Sequence, residues 1–270
     1  MKSPGKTSLY LRIRFIVFAS TLALALAAGL CANAQTTLPD APKPQPDVRL
    51  RDTPRNLLHD QAAIWTSPAH LHTANLNWMV PLAAVTGLAI ATDRDAMNHV
   101  VSKNPNLNQT SVNASNALIG GFIAAPVAMI GWGEFKKSPR AREAGILSGE
   151  AMIDSVVVEQ GMKLMTWRER PAVDSARGKF FQSAAGTGSS FPSSHSVVAW
   201  SAAAVLAGEY PSRFSRILIY SAATGVSLTR VVGQQHFPSD VIVGSAAGWL
   251  VGHYVFRKHH KLSLDEAEQY

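Results

Sequence analysis

Long, Ala-rich runs without strand alternation dominate this chain, and the first two carry no charge at all. Residues 73–92, "TANLNWMVPLAAVTGLAIAT", and 117–133, "ALIGGFIAAPVAMIGWG", contain no Asp, Glu, Lys or Arg. Further stretches follow at 141–168, 195–208, 216–229 and 238–257. None has the two-residue alternation of a half-buried strand, and all have helical length. The expected fold is therefore all-α, a bundle of helices, with the Asn-rich stretch 104–116 between the first two runs read as a loop. A bilayer span needs about 20 apolar residues. Residues 73–92 and 117–133 approach that, whereas 238–257 holds Asp240 and His253. Buried helices of a large α-helical domain fit the same pattern, so both readings stand at this point. Composition does not separate them: charged residues make up 16%, below the roughly 25% of soluble domains, yet the mean hydropathy is only +0.05.

The N-terminus has a different character. Lys2, Lys6, Arg12 and Arg14 precede the apolar run "FIVFASTLALALAAGL" at 15–30, which is followed by Ala32-Asn33-Ala34 and Gln35. A basic start, an apolar middle and an A-x-A site describe a secretory signal peptide over 1–34. Export to the cell envelope, with a periplasmic and membrane-associated or membrane-embedded location, is the expectation. Without those four basic residues, 21 of the 25 remain against 18 acidic ones, a net charge of +3. That balance is no nucleic-acid footprint. The single cysteine, Cys31, leaves with the signal, so the mature chain has no disulfide and is held by packing alone. Residues 35–54 carry five prolines and read as a linker. Thr53 and Pro54 start an amphipathic helix. The helical domain is placed at 55–257, with a polar tail at 258–270.

Three polar clusters interrupt the apolar helices. In "KLMTWRERP", Lys163 and Arg170 are seven residues apart, nearly two helical turns, and Pro171 disfavours helix at Arg170. In "GSSFPSSHS", Pro192 suits a helix start, which would leave the N–H groups of Ser193, Ser194 and His195 open to an anion. In "TRVVGQQHFPSD", Pro238 again suits a first helical position and puts Asp240 in the first turn, within reach of His236. A carboxylate accepting from one imidazole nitrogen makes the other a better base or nucleophile. Each cluster alone is an ordinary helix end. Together, Lys163, Arg170 and Arg230, an anion-binding helix start and two histidines suit a phosphoryl group in transfer, for which catalysis is mostly positioning and charge stabilisation. Outside the clusters, Asp93 and Asp95 read as the solvent-exposed end of an apolar helix. Glu150, Asp154 and Glu159 read as structural ion-pair partners.

The order Lys163-x6-Arg170-Pro171, Pro192-Ser193-Ser194-His195, Thr229-Arg230-x5-His236-x3-Asp240 resembles the type 2 phosphatidic acid phosphatase and vanadium haloperoxidase superfamily, over roughly 75–257. Ser194 stands where that pattern has glycine, and Thr229 where it has serine. The resemblance implies a metal-independent phosphatase acting on phosphate monoesters or diphosphates, with lipid phosphates favoured. His236 would attack phosphorus and form a phosphohistidine, Asp240 would orient it, and His195 would protonate the leaving oxygen. Lys163, Arg170 and Arg230, with the N–H groups of Ser193 and Ser194, would hold the phosphate. No metal or cofactor is implied. Vanadate enters only if the chain is instead a vanadium-dependent haloperoxidase. A soluble periplasmic acid phosphatase on small phosphate esters fits the same residues, and a non-catalytic anion-binding envelope protein would keep the cations without needing either histidine. The oligomeric state is not legible.

Overall fold

A computed structural model describes residues 48–182 and 188–262. The signal-peptide reading and most of the Pro-rich linker lie outside them. Among the described residues there are seven α-helices and no strand: α1 Thr53–Thr66, α2 Leu76–Asp95, α3 Pro105–Lys136, α4 Pro139–Thr166, α5 Ser194–Glu209, α6 Arg213–Val232 and α7 Pro238–His259. The all-α expectation is met. The last helix runs to His259, so the tail begins later than the sequence suggested.

Residues 105–116, read as loop, are the first three turns of α3. The Asn104 side chain caps that helix, accepting from the N–H groups of Asn106 (3.0 Å) and Leu107 (3.4 Å), and Pro105 takes the first helical position. The low helix propensity of Asn and Ser is overridden by this cap. It is also overridden by packing, since Ser111 and Ser115 turn inward and return their hydroxyls to the carbonyls of Leu107 and Val112.

The core is formed by α4, α5 and α7, with Ile146, Leu147, Val205, Val251 and Val255 buried together. A second cluster joins α3, α5 and α6 through Phe122, Ala199, Ala203, Ala223 and Val226. Helix α7 meets α5 along one glycine ridge. A Cβ on Gly244, Gly248 or Gly252 would come 2.9, 2.2 and 2.2 Å from the carbonyl oxygens of Ser193, Val197 and Ser201. Glycine every fourth residue thus lets the two backbones touch and fixes the start of α5 against the start of α7, where two of the polar clusters lie.

Helix α1 lies on α4 through polar contacts. Asn56 donates to Glu150 at 3.2 Å and Gln61 to Asp154 at 2.7 Å. Among the described residues those two acids are therefore held by amides rather than by ion pairs, and of the three only Glu159 meets a cation there, Lys163. At the far end of the bundle His260 joins Glu143 of α4 and Glu209 of α5 at 3.0 and 3.1 Å.

Helices α2 and α3 present apolar side chains outward. Leu88, Val127 and Phe135 are 67%, 72% and 77% exposed. Both helices are long and apolar enough to cross a membrane, and little of either is buried. A helix that is apolar without being covered by protein differs from the core helix of a water-soluble bundle.

Candidate active site

The three clusters meet at one end of the bundle, at the C-termini of α4 and α6 and the N-termini of α5 and α7. Helix α4 stops at Thr166, because Trp167 takes a left-handed conformation (φ 43°, ψ 45°). The chain then turns back on the helix end. Glu169 N–H donates to the Lys179 carbonyl at 3.0 Å, and Phe181 N–H to the Thr166 carbonyl at 2.9 Å. Arg170, beyond the helix as Pro171 requires, donates to the Gln235 carbonyl at 3.2 Å. Burial lowers its pKa against the opposing pull of Asp240.

Helix α5 begins two residues later than Pro192 would place it, with Ser193 as the capping residue. The Ser193 N–H donates to the backbone carbonyl of Asp240 at 3.1 Å, so it is not open to an anion. The N–H groups of Ser194 and His195 have no partner among the described residues and occupy the first turn of α5. Ser194 is helical with negative φ, so glycine's left-handed freedom is not needed there. Its hydroxyl is engaged, accepting from Lys163 Nζ at 2.8 Å and donating to Glu159 Oε1 at 2.6 Å.

Arg230, near the end of α6, is 6% exposed. Its Nη1 donates to Ser115 Oγ at 3.1 Å, and its buried Nε has no partner among the described residues. No carboxylate among them lies within ion-pair distance of it. The Thr229 hydroxyl returns to the Gly225 and Val226 carbonyls (2.7 and 2.9 Å) and does not reach the site. Burial first, and then the neighbouring cations led by Arg230, lower the His195 pKa to about 4, and its Nε2 is 3.1 Å from Asn116 Oδ1.

His236 sits in the turn before α7, fully buried, and desolvation lowers its pKa against the pull of Asp240. Its Nδ1 is 2.8 Å from the Ser190 carbonyl and 3.5 Å from Asp240 Oδ2. A ring N–H has one direction, and the carbonyl takes it. This fixes the tautomer with the lone pair on Nε2. Asp240 acts around the ring: its Oδ2 accepts from Phe237 N–H at 2.8 Å and from the Ser190 hydroxyl. It therefore holds both the turn that carries His236 and the residue whose carbonyl orients it.

Behind Asp240 lies a network that the sequence did not reveal. Arg168, 1% exposed, donates to Asp240 Oδ1 at 2.6 Å and to Asp93 Oδ2 at 2.7 Å. Its guanidinium lies between the rings of Phe180 and Phe237, 4.8 and 4.2 Å from their centroids. Only glycine fits at 178 beside it, where φ is +59° and a Cβ would strike the Phe237 ring at 2.7 Å. Asp93, expected in solvent, is 2% exposed and also accepts from Ser239 N–H at 3.1 Å and the Ser239 hydroxyl. The reason is tertiary: the end of α2 docks on the start of α7 and brings the carboxylate to Arg168. In a single sequence an acid after an apolar helix looks the same whether it is covered or not.

Known proteins bear on this geometry. Residues 144–263 match the model of the PAP2 superfamily, which bears out the resemblance on that stretch. Over 65 residues the chain is 37% identical to a lipid A 1-phosphatase of Porphyromonas gingivalis, a match covering 23% of this chain and 15% of that protein's length. A solved transmembrane PAP2 type phosphatidylglycerolphosphate phosphatase from Bacillus subtilis aligns with 79% of this chain and 97% of its own, at 22% identity and a TM-score of 0.48.

Proposed function

We propose that this chain, with its PAP2 superfamily stretch at 144–263, is a metal-independent phosphatase of the cell envelope acting on lipid phosphates through a phosphohistidine. One observation carries the reading. Arg230 is buried without a carboxylate partner among the described residues, its Nε unsatisfied, in a cluster with Arg170, Lys163 and two imidazoles. A buried cation without a counter-ion is costly. A phosphate group supplies the missing charge and fits the fork of Arg230.

In this reading the bound phosphate offsets the cations that hold the His195 pKa down, so that His195 carries a proton in the complex. His236 Nε2 attacks phosphorus while the ester P–O bond breaks, and His195 gives that proton to the leaving oxygen. His195 then takes a proton from water, whose oxygen attacks phosphorus and breaks the P–N bond. Inorganic phosphate leaves and both imidazoles return to their starting states. Arg170, Arg230 and the open N–H groups of α5 hold the equatorial oxygens throughout. The uncovered apolar faces of α2 and α3 support a membrane-embedded protein, and thus a substrate with acyl chains.

The test is phosphate release from a panel of lipid phosphates and soluble esters, in detergent and with a chelator present. Release from the lipids, lost in His236→Ala, is expected. Turnover of small esters alone, by protein that leaves membranes in high salt without detergent, would instead indicate a soluble acid phosphatase. Peroxide-dependent halide oxidation with added vanadate would indicate a haloperoxidase.

A further inference from the structure

Among the described residues Lys163, unlike Arg230, is held by a carboxylate. Its Nζ lies 2.6 Å from Glu159 Oε1 and donates to Ser194 Oγ at 2.8 Å, while the Ser194 hydroxyl donates to that same Glu159 oxygen at 2.6 Å. The three groups form a closed triangle. Glu159 precedes Lys163 by one turn of α4, the favourable order for an i,i+4 pair. Its carboxylate is 1% exposed, and its other oxygen accepts from Gln160 Nε2 at 2.8 Å, so it is held from both sides. The hydroxyl leg of the triangle exists only because residue 194 is serine. A glycine there would leave the ammonium with the carboxylate alone.

We propose that Glu159 and Ser194 are positioning residues that hold Lys163 on a latch, and that this latch limits how tightly the pocket retains inorganic phosphate. The inference rests on the phosphatase reading above. A phosphate oxygen can take Lys163 fully only by drawing its ammonium away from Glu159. That leaves a buried carboxylate without its cation, beside an anion of like sign. Arg230 and Arg170 then supply most of the ground-state hold, and product leaves a site whose third cation, Lys163, is already held by a carboxylate. Ser194 contributes without charge: its hydroxyl bonds both members of the pair and stiffens the resting arrangement.

The experiment is calorimetric titration of inorganic phosphate into the full-length, detergent-solubilised protein, with no turnover involved. Glu159→Gln is expected to tighten phosphate binding about tenfold, by removing one charge close to the ligand. Ser194→Gly, which changes no charge, is expected to tighten it about threefold by loosening the latch. The double variant should match Glu159→Gln, because the hydroxyl leg has no function without the carboxylate. Binding unchanged in both single variants, or weakened in Ser194→Gly, overturns the latch. If Glu159→Gln does not fold, Ser194→Gly decides alone. If wild type binds phosphate and the variants bind it equally, only the latch falls; if neither wild type nor the variants bind it, the phosphatase reading falls with it.

Discussion

Replacing Asp93 perturbs the buried network that supports Asp240 and His236. Its carboxylate accepts from Arg168 Nη2 at 2.7 Å, from Ser239 N–H at 3.1 Å and from the Ser239 hydroxyl. Asp93→Ala leaves the buried Arg168 guanidinium with one carboxylate instead of two and orphans the Ser239 N–H at the start of α7. Breaking a buried ion pair on one side typically costs about 3–5 kcal/mol, and a solvent-exposed helix end would change stability by less than about 0.5 kcal/mol. Asp93→Asn keeps the shape but presents an amide N–H to Arg168 or Ser239, with an expected loss of about 2–3 kcal/mol. Because Arg168 also holds Asp240, and Asp240 holds the His236 turn, the turnover of folded Asp93→Asn should fall by about tenfold. Unfolding in denaturant and turnover in detergent measure the two effects. Wild-type stability and wild-type turnover in both variants would refute the network.

Three further outcomes follow from particular groups. His236 titrates below the ordinary imidazole value of 6.5 because it is buried; its nucleophilic form therefore persists as pH falls, and the acid limb of kcat/KM should have its midpoint below 6.5. His260, raised to about 9 by hydrogen bonds to Glu143 and Glu209, adds stability that is fully present below pH 6.5 and lost as pH rises through 9. The loss should be no more than about 3 kcal/mol, and His260→Gln should flatten that slope in denaturation measured across this range. Gly248→Ala places a Cβ 2.2 Å from the Val197 carbonyl and must push α7 from α5. It should cost about 1–3 kcal/mol and, by separating the helix starts that carry His195 and His236, up to about a hundredfold in turnover.

Much of the fold was legible because long, Ala-rich runs without alternation fit few structures other than helices. Where the reading failed, local and tertiary information disagreed. The stretch 105–116 reads as loop by its Asn and Ser content, yet its Asn104 cap and inward Ser111 and Ser115 make it helix. The residues of the three clusters were visible from their order and spacing, and they do gather at one end of the bundle. Their supports were not. Arg168 lies two residues from Arg170 in "WRER" and carries no mark distinguishing a buried arginine from a solvated one. Asp93 and Asn116 come from helices before the matched stretch and reach the site only through packing. Backbone groups are also invisible in a sequence. The Ser190 carbonyl orients His236, and the Asp240 carbonyl occupies the Ser193 N–H that the motif offered to phosphate.

The proposed mechanism requires that His236 become covalently phosphorylated. Purified protein mixed briefly with a substrate labelled in its phosphate, then quenched in alkali, should retain label, since a phosphohistidine survives base and a phosphoserine does not. Peptide mapping should place the label on His236, and folded His195→Ala should still acquire it from a substrate with a good leaving group such as nitrophenolate. Label on Ser193 or Ser194, or turnover with no trapped label in His195→Ala, would contradict the account.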